Sequence, residues 1–191
     1  MKSFRAARAH QAKTPVPYAT RHASGYTGML AGAGAEAQMR AMGNNGTLFA
    51  IVNAYATAIA GVQWNLYRSR EQGDTDDAER EVVISHAAAD LWSMPTGPEG
   101  FFSRPRLVKT FQQHKELVGE GIVVVVKIGS LPYELWPVMP HRMEPVADAE
   151  KFLAGWIYHG PGGERVPLGV EQVIQMIQHP CPWDPYRGMG A

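Results

Sequence analysis

Ser130 to Val146 reads SLPYELWPVMPHRMEPV, and Pro132, Pro137, Pro140 and Pro145 cut this stretch into short pieces. Each proline fixes φ and lacks an amide donor, so no helix runs through the stretch, and it is expected as extended segments joined by tight turns. Tyr133, Leu135, Trp136 and Val138 give those segments apolar faces with which edge or bulged strands can cover a core. Just upstream, Gly121 to Ile128 (GIVVVVKI) is an apolar, β-branched run without alternation, the pattern of a strand buried on both faces. The two stretches pair as a hairpin across Gly129 to Pro132.

Working outward, Ser103 is placed to cap a helix with Pro105 and Arg106 in its first turn. Leu107, Val108, Phe111, Lys115 and Val118 mark its inner face, and Gly119 and Gly121 end it ahead of the apolar strand. Downstream, Ala154 to His159 and Arg165 to Leu168 read as strands joined by the turn Gly160 to Gly163, and Val173, Ile174, Met176 and Ile177 mark an apolar stretch within Val170 to His179.

A second helix is expected from Leu48 to Val62. Leu48, Ile51, Val52, Tyr55, Ile59 and Val62 recur three and four residues apart, with Thr47 as cap and Gly61 near the end. Those six side chains are its expected core face, and Ile51→Asp is expected to unfold the domain. At 15 residues this helix would span only about 22 Å, short of the roughly 30 Å hydrocarbon core of a membrane. Val62 to Tyr67 alternates as a half-exposed strand, Arg70 to Glu81 is a charged loop, and His86 to Met94 is a short helix with Ala87, Leu91 and Met94 inward. The loop's acids do not make a calcium site, because Glu79 rather than Gly is sixth from Asp74 and Ser85 rather than Glu is twelfth.

The chain has 191 residues, 45% of them hydrophobic, enough for one core in a single domain with tails. Eighteen basic residues balance eighteen acidic ones, so bulk charge does not point to a nucleic-acid or membrane partner. The single cysteine, Cys181, excludes an internal disulfide framework and suits a reducing compartment. Met1 to Ala35 carries Lys2, Arg5, Arg8, Lys13 and Arg21 and no acid, and it lacks the apolar run of a signal peptide. It reads as a flexible basic arm, either a solvated tail or a segment that touches nucleic acid or a partner. Gly32 to Ala37 matches a dinucleotide fingerprint, but no strand precedes it and it reads as a linker. The organisation expected is an arm over 1–46 and one domain over 47–191.

Leu135-Trp136-Pro137, Pro140, and Arg142 to Val146 together resemble the N-terminal half of the portal (head-to-tail connector) proteins of long-tailed bacteriophages. Leu66-Tyr67-Arg68 and the closing Asp184-Pro185-Tyr186-Arg187-Gly188-Met189 extend that resemblance over Thr47 to Gly188. Where that family reads Gly-(Asn/Asp)-Ala-(Tyr/Phe), this chain has Gly119-Glu120-Gly121-Ile122. The resemblance implies a structural virion component, the wing portion of a portal without its stem, clip and crown. In the full-length family the subunits form a dodecameric ring at the capsid vertex for DNA packaging, ejection and head–tail joining. It also implies capsid, terminase and head–tail adaptor partners, and DNA contacts mostly outside this chain. The expected place is the virion, and the host cytoplasm during assembly.

For chemistry the sequence offers little. The seven histidines show no i, i+4 zinc pair, and His179 and Cys181, flanking Pro180, have no third ligand in view. The enzyme-like alternative is Cys181 as a nucleophile with a histidine base; against it, no helix N-terminus or cationic cluster lies beside it in sequence. Trp64, Trp92, Trp136, Trp156 and Trp183 lie on separate elements without interleaved Lys or Arg and read as packing residues. No catalytic, cofactor-binding or metal residue is assigned and no membrane partner is expected. The fold expected is α+β: two main helices on a small mixed or antiparallel sheet, portal-wing-like, with a disordered N-terminal arm.

Overall fold

Glycine at 119 is where helix turns into sheet. The computed structural model describes residues 34–68 and 82–190, and in it helix α4 (Arg104–Val118) ends on Gly119 at φ 81° and feeds directly into strand β1 (Glu120–Ile128). That left-handed geometry suits glycine. A Cβ there would also lie 2.0 Å from the Met189 carbonyl oxygen. Two residues on, a Cβ at Gly121 would lie 2.5 Å from the Phe111 ring, so α4 folds back flush on β1 only because that side chain is missing.

The Pro-punctuated stretch does form extended pieces. β2 (Leu131–Val138) pairs antiparallel with β1, Ile122 opposite Val138 and Ile128 opposite Leu131. One 3-10 turn at Pro140–Arg142 interrupts the extended run before β3 (Met143–Asp148), which is as much helix as the prolines allow. β4 (Phe152–His159) and β5 (Arg165–Gly169) continue from β3 as a meander, joined by the expected glycine-rich turn. β6 (Val173–Ile177) returns to the far edge of β1, giving the order β2-β1-β6. β7 (Pro180–Cys181) and β8 (Asp184–Gly188) make a small two-stranded ribbon. Every pairing between these strands is antiparallel.

On the helical side, α2 (Gly46–Ala60) and α4 are the two 15-residue helices, and the chain is α+β as expected. The cap of α2 is Asn45 rather than Thr47: its side chain accepts from the Thr47 and Leu48 amides at 3.0 and 3.1 Å, so the helix starts two residues earlier. A further helix, α1 (Gly34–Asn44), stands where a linker was read and where the arm was expected to continue to 46. Ala35 is buried beside Val52, Leu117 and Val118, so tertiary packing holds this stretch in spite of its glycines. The rest of the arm, with Gly32 and Ala33 of the fingerprint, and the charged loop Arg70 to Glu81 lie outside the described residues. Val62 to Tyr67 does not form a strand: it is exposed throughout and meets its neighbour through one bridge, Tyr67 to Val82. In α3 (Ala87–Ser93) the inward side chains are Leu91 and Trp92, while Ala87 and Met94 are exposed.

The core has three parts. Ala60, Leu107 and Val108 pack with Ile59, Trp92, Phe102 and Leu135 where α2, α3, α4 and β2 meet. Ile122, Met143 and Trp156 pack with Val124, Val138 and Val173 between the two three-stranded sheets. The Ala35 cluster joins α1, α2 and α4. Each large apolar side chain so buried contributes on the order of 1.5–3 kcal/mol.

Candidate assembly interface

Among the described residues, a buried acid and a buried base meet in one place. Glu120, the first residue of β1, is fully buried, and Arg187 in β8 is 5% exposed. Arg187 Nη2 lies 3.0 Å from Glu120 Oε1, an ion pair rather than an aligned hydrogen bond. The other carboxylate oxygen accepts from Gln175 Nε2 at 2.7 Å and from the Gly188 amide at 3.1 Å. Arg187 also donates to the carbonyls of Met143 (2.7 Å) and Pro140 (2.8 Å), and Tyr186 donates to the Phe152 carbonyl at 2.7 Å. Burial pushes the Glu120 carboxyl above its ordinary pKa, and the Arg187 charge pulls it back. With its guanidinium committed inside the fold, Arg187 works as a latch. It ties the Asp184–Gly188 strand to the head of β1 and to the turn that follows β2.

The residues weighed for chemistry are not brought together. Cys181 is buried in β7, and among the described residues no group of three His, Cys, Asp or Glu is placed to hold a metal. His86 caps α3 through its ring nitrogen and His159 pairs with Glu144 at 2.9 Å. His114 is buried in α4, and desolvation lowers its pKa to about 4. Of the tryptophans, Trp156 is core, Trp64 meets Trp92 edge-on at 5.6 Å, and Trp136 meets Phe102 at 6.0 Å. No described helix is long and apolar enough to cross a membrane.

What the surface does show is apolar. In α2 the buried stripe is Val52, Ala56 and Ala60, whose small side chains let α2 lie close on α4. The expected core face is therefore corrected: Ile51 is 64% exposed and Tyr55 52%, with Val62 exposed beyond the helix end. Gly46–Ala60 contains no charged residue, so nothing in its sequence marks an outer face. The far half of the β1–β2 hairpin is uncovered too, with Ile128 63%, Leu131 71% and Tyr133 57% exposed. Glu120 and the α2 outer face are the features that the sequence reading missed. The signal for Glu120 was a carboxylate heading an otherwise apolar run, a residue type that is seldom fully buried unless paired.

Residues 46–191 match the family model of the phage portal proteins. Among solved structures the fold is similar to chains in the neck of an empty GTA particle computed with C6 symmetry, with TM-score 0.61 and 23% identity over 77% of this chain and 37% of that one. It is similar also to the neck of a native GTA particle computed with C12 symmetry, with TM-score 0.59 and 20% identity over 97% and 42% of the two chains. The virion of the native gene transfer agent particle gives TM-score 0.58 and 20% identity, again over 42% of that chain. The chain thus spans about two fifths of the length of the chains that it matches. A search of curated proteins finds no match to the sequence.

Proposed function

Because this chain belongs to the phage portal protein family, we propose that it is a structural component of a virion, a wing-type unit in the ring at the genome-entry vertex. The observation that carries the reading is the family match over 46–191, which includes both the Pro-punctuated stretch and the latch strand. Supporting it, the chain exposes apolar surface on two separate elements, as a subunit buried on two sides by neighbours would. The C6 and C12 symmetries of the similar necks are those of rings. In this reading residues 47–191 are the wing unit and the partners are further copies, the capsid, a terminase and a head–tail adaptor. DNA contacts lie mostly outside this chain. Assembly takes place in the host cytoplasm, and the role is structural, with no catalytic, cofactor or metal residue assigned.

The test is direct. Particles released from the host are purified with an epitope-tagged copy of the chain and labelled with immunogold. Label at a single vertex per particle is expected, and particles free of the chain would overturn the proposal. The enzyme alternative separates by thiol chemistry: buried Cys181 should alkylate slowly with iodoacetamide in the native fold and fast once unfolded. Fast native alkylation well below pH 8 would favour the nucleophile.

A further inference from the structure

We propose that helix α1 is an acid-sensitive joint, released from α4 and from the 3-10 turn at Pro140–Arg142 when His114 and His141 take up protons. It works in a free chain as it would in a ring.

Helix α1 joins the basic stretch that carries Lys2 to Arg21 to the rest of the chain. Ala35 is its one buried residue, against three in α2 and six in α4, so α1 is the least firmly held of the three. Ala35 packs on Leu117 and Val118 of α4, and α1 also touches the Pro140–Arg142 turn. An element with so little buried apolar surface opens locally at a smaller free energy than the domain unfolds.

Two histidines stand at this joint. His114 lies one turn before Leu117 and Val118 on the same face of α4 and is 7% exposed. Its ring donates to the Val138 carbonyl. Nδ1 has no hydrogen-bond partner among the described residues, so the donor is Nε2 and Nδ1 is the bare acceptor. A proton arriving at Nδ1 would bury a charge together with a donor that nothing accepts. His141, in the turn itself, has an Nδ1 that is also buried and without a partner among the described residues. The two rings lie near enough to repel one another once charged.

The surrounding charges do not favour protonation. Glu36 and Arg40 face His141 from α1, Arg142 from the turn and Arg187 from β8. Glu36 is the one acid among them, and it is paired with Arg40 at 2.6 Å. Glu120 of β1 is matched to Arg187, Glu134 of β2 accepts from the Trp136 indole, and α2 contains no charged residue. Desolvation is the largest cause lowering both histidines, taking His114 to about 4; at His141 Glu36 opposes it and the three arginines reinforce it. A released histidine titrates near 6.5. Below that pH the open state binds protons that the docked state refuses, so opening rises as pH falls, by up to about tenfold per pH unit for each histidine.

Hydrogen–deuterium exchange on the full chain at pH 7.0 and 5.0, corrected for intrinsic exchange rates, tests the joint. Amides in the last two turns of α1 should lose at least about tenfold in protection at pH 5.0, while those of Ile122 to Val125 in β1 stay within about twofold. His114→Gln/His141→Gln should remove the pH-dependent loss in α1. Should that double variant fail to fold, His141→Gln alone, at a half-buried position, should reduce the loss several-fold. Equal protection of α1 at both pH values overturns the proposal. So does a loss that persists undiminished in the variants, or a loss in β1 as large as that in α1.

Discussion

Replacing Arg187 with methionine removes the counter-charge from a fully buried carboxylate. Glu120 keeps Gln175 and the Gly188 amide as donors but loses the guanidinium that lies against it at 3.0 Å. Removing one partner of a buried pair costs about 3–5 kcal/mol. For a chain of this size that corresponds to a melting temperature lower by roughly 10–15 °C. The loss depends on pH, and its sign follows from the direction of the Glu120 shift. The folded pKa is already raised, and without Arg187 it rises further. Between the ordinary carboxylate value and the raised one, the folded chain holds a proton that the unfolded chain has released. Stability therefore falls as pH rises through that window. Thermal melts of Arg187→Met should show a small deficit near pH 4.5 and the full deficit at pH 7.5. Adding Glu120→Gln should recover much of the loss at pH 7.5 and little at pH 4.5, although it removes a further native group. A deficit that is the same at both pH values, or a double variant worse than Arg187→Met at pH 7.5, would refute a buried carboxylate held by Arg187.

Ile51→Asp should melt within about 0.5 kcal/mol of wild type, whereas Ala56→Asp, at a fully buried position against α4, should unfold the domain; urea titrations compare them. His114 has a folded pKa of about 4, so the unfolded chain binds the extra proton first and stability falls as pH drops from 6.5 towards 4. That acid-linked loss reaches about 3 kcal/mol, and His114→Gln should flatten it, as melts across pH 4–7 would show. Gly119→Ala meets both a left-handed φ and the Met189 carbonyl, and should lose more than about 1 kcal/mol in the same titration; a neutral result would contradict the close docking of the C-terminal strand.

Local instructions in the sequence account for the part of the fold read correctly from it. Pro105 near the start and Gly119 at the end bound α4, the β-branched run sets β1, and the four prolines between Pro132 and Pro145 keep the following stretch extended apart from one 3-10 turn. Each of these acts through φ, a missing donor or side-chain shape within a few residues, which is why no tertiary information was needed. The three-and-four spacing in Leu48 to Val62 correctly gave a helix but not its orientation. With no charged residue to mark an outer side, periodicity named Ile51 and Tyr55 as core, and it was the fit of Val52, Ala56 and Ala60 against α4 that turned them outward. Helix α1 formed for a similar reason, since Ala35 gains from Leu117 and Val118 what its own glycine-rich segment does not supply. Glu120 and Arg187 stand far apart in the chain, and although a carboxylate heading an apolar run hints at a partner, nothing in the sequence names Arg187 as that partner. Only the return of β8 beside the head of β1 buries them together, because the free energy of that pair resides in desolvation and distance, neither of which a linear sequence contains.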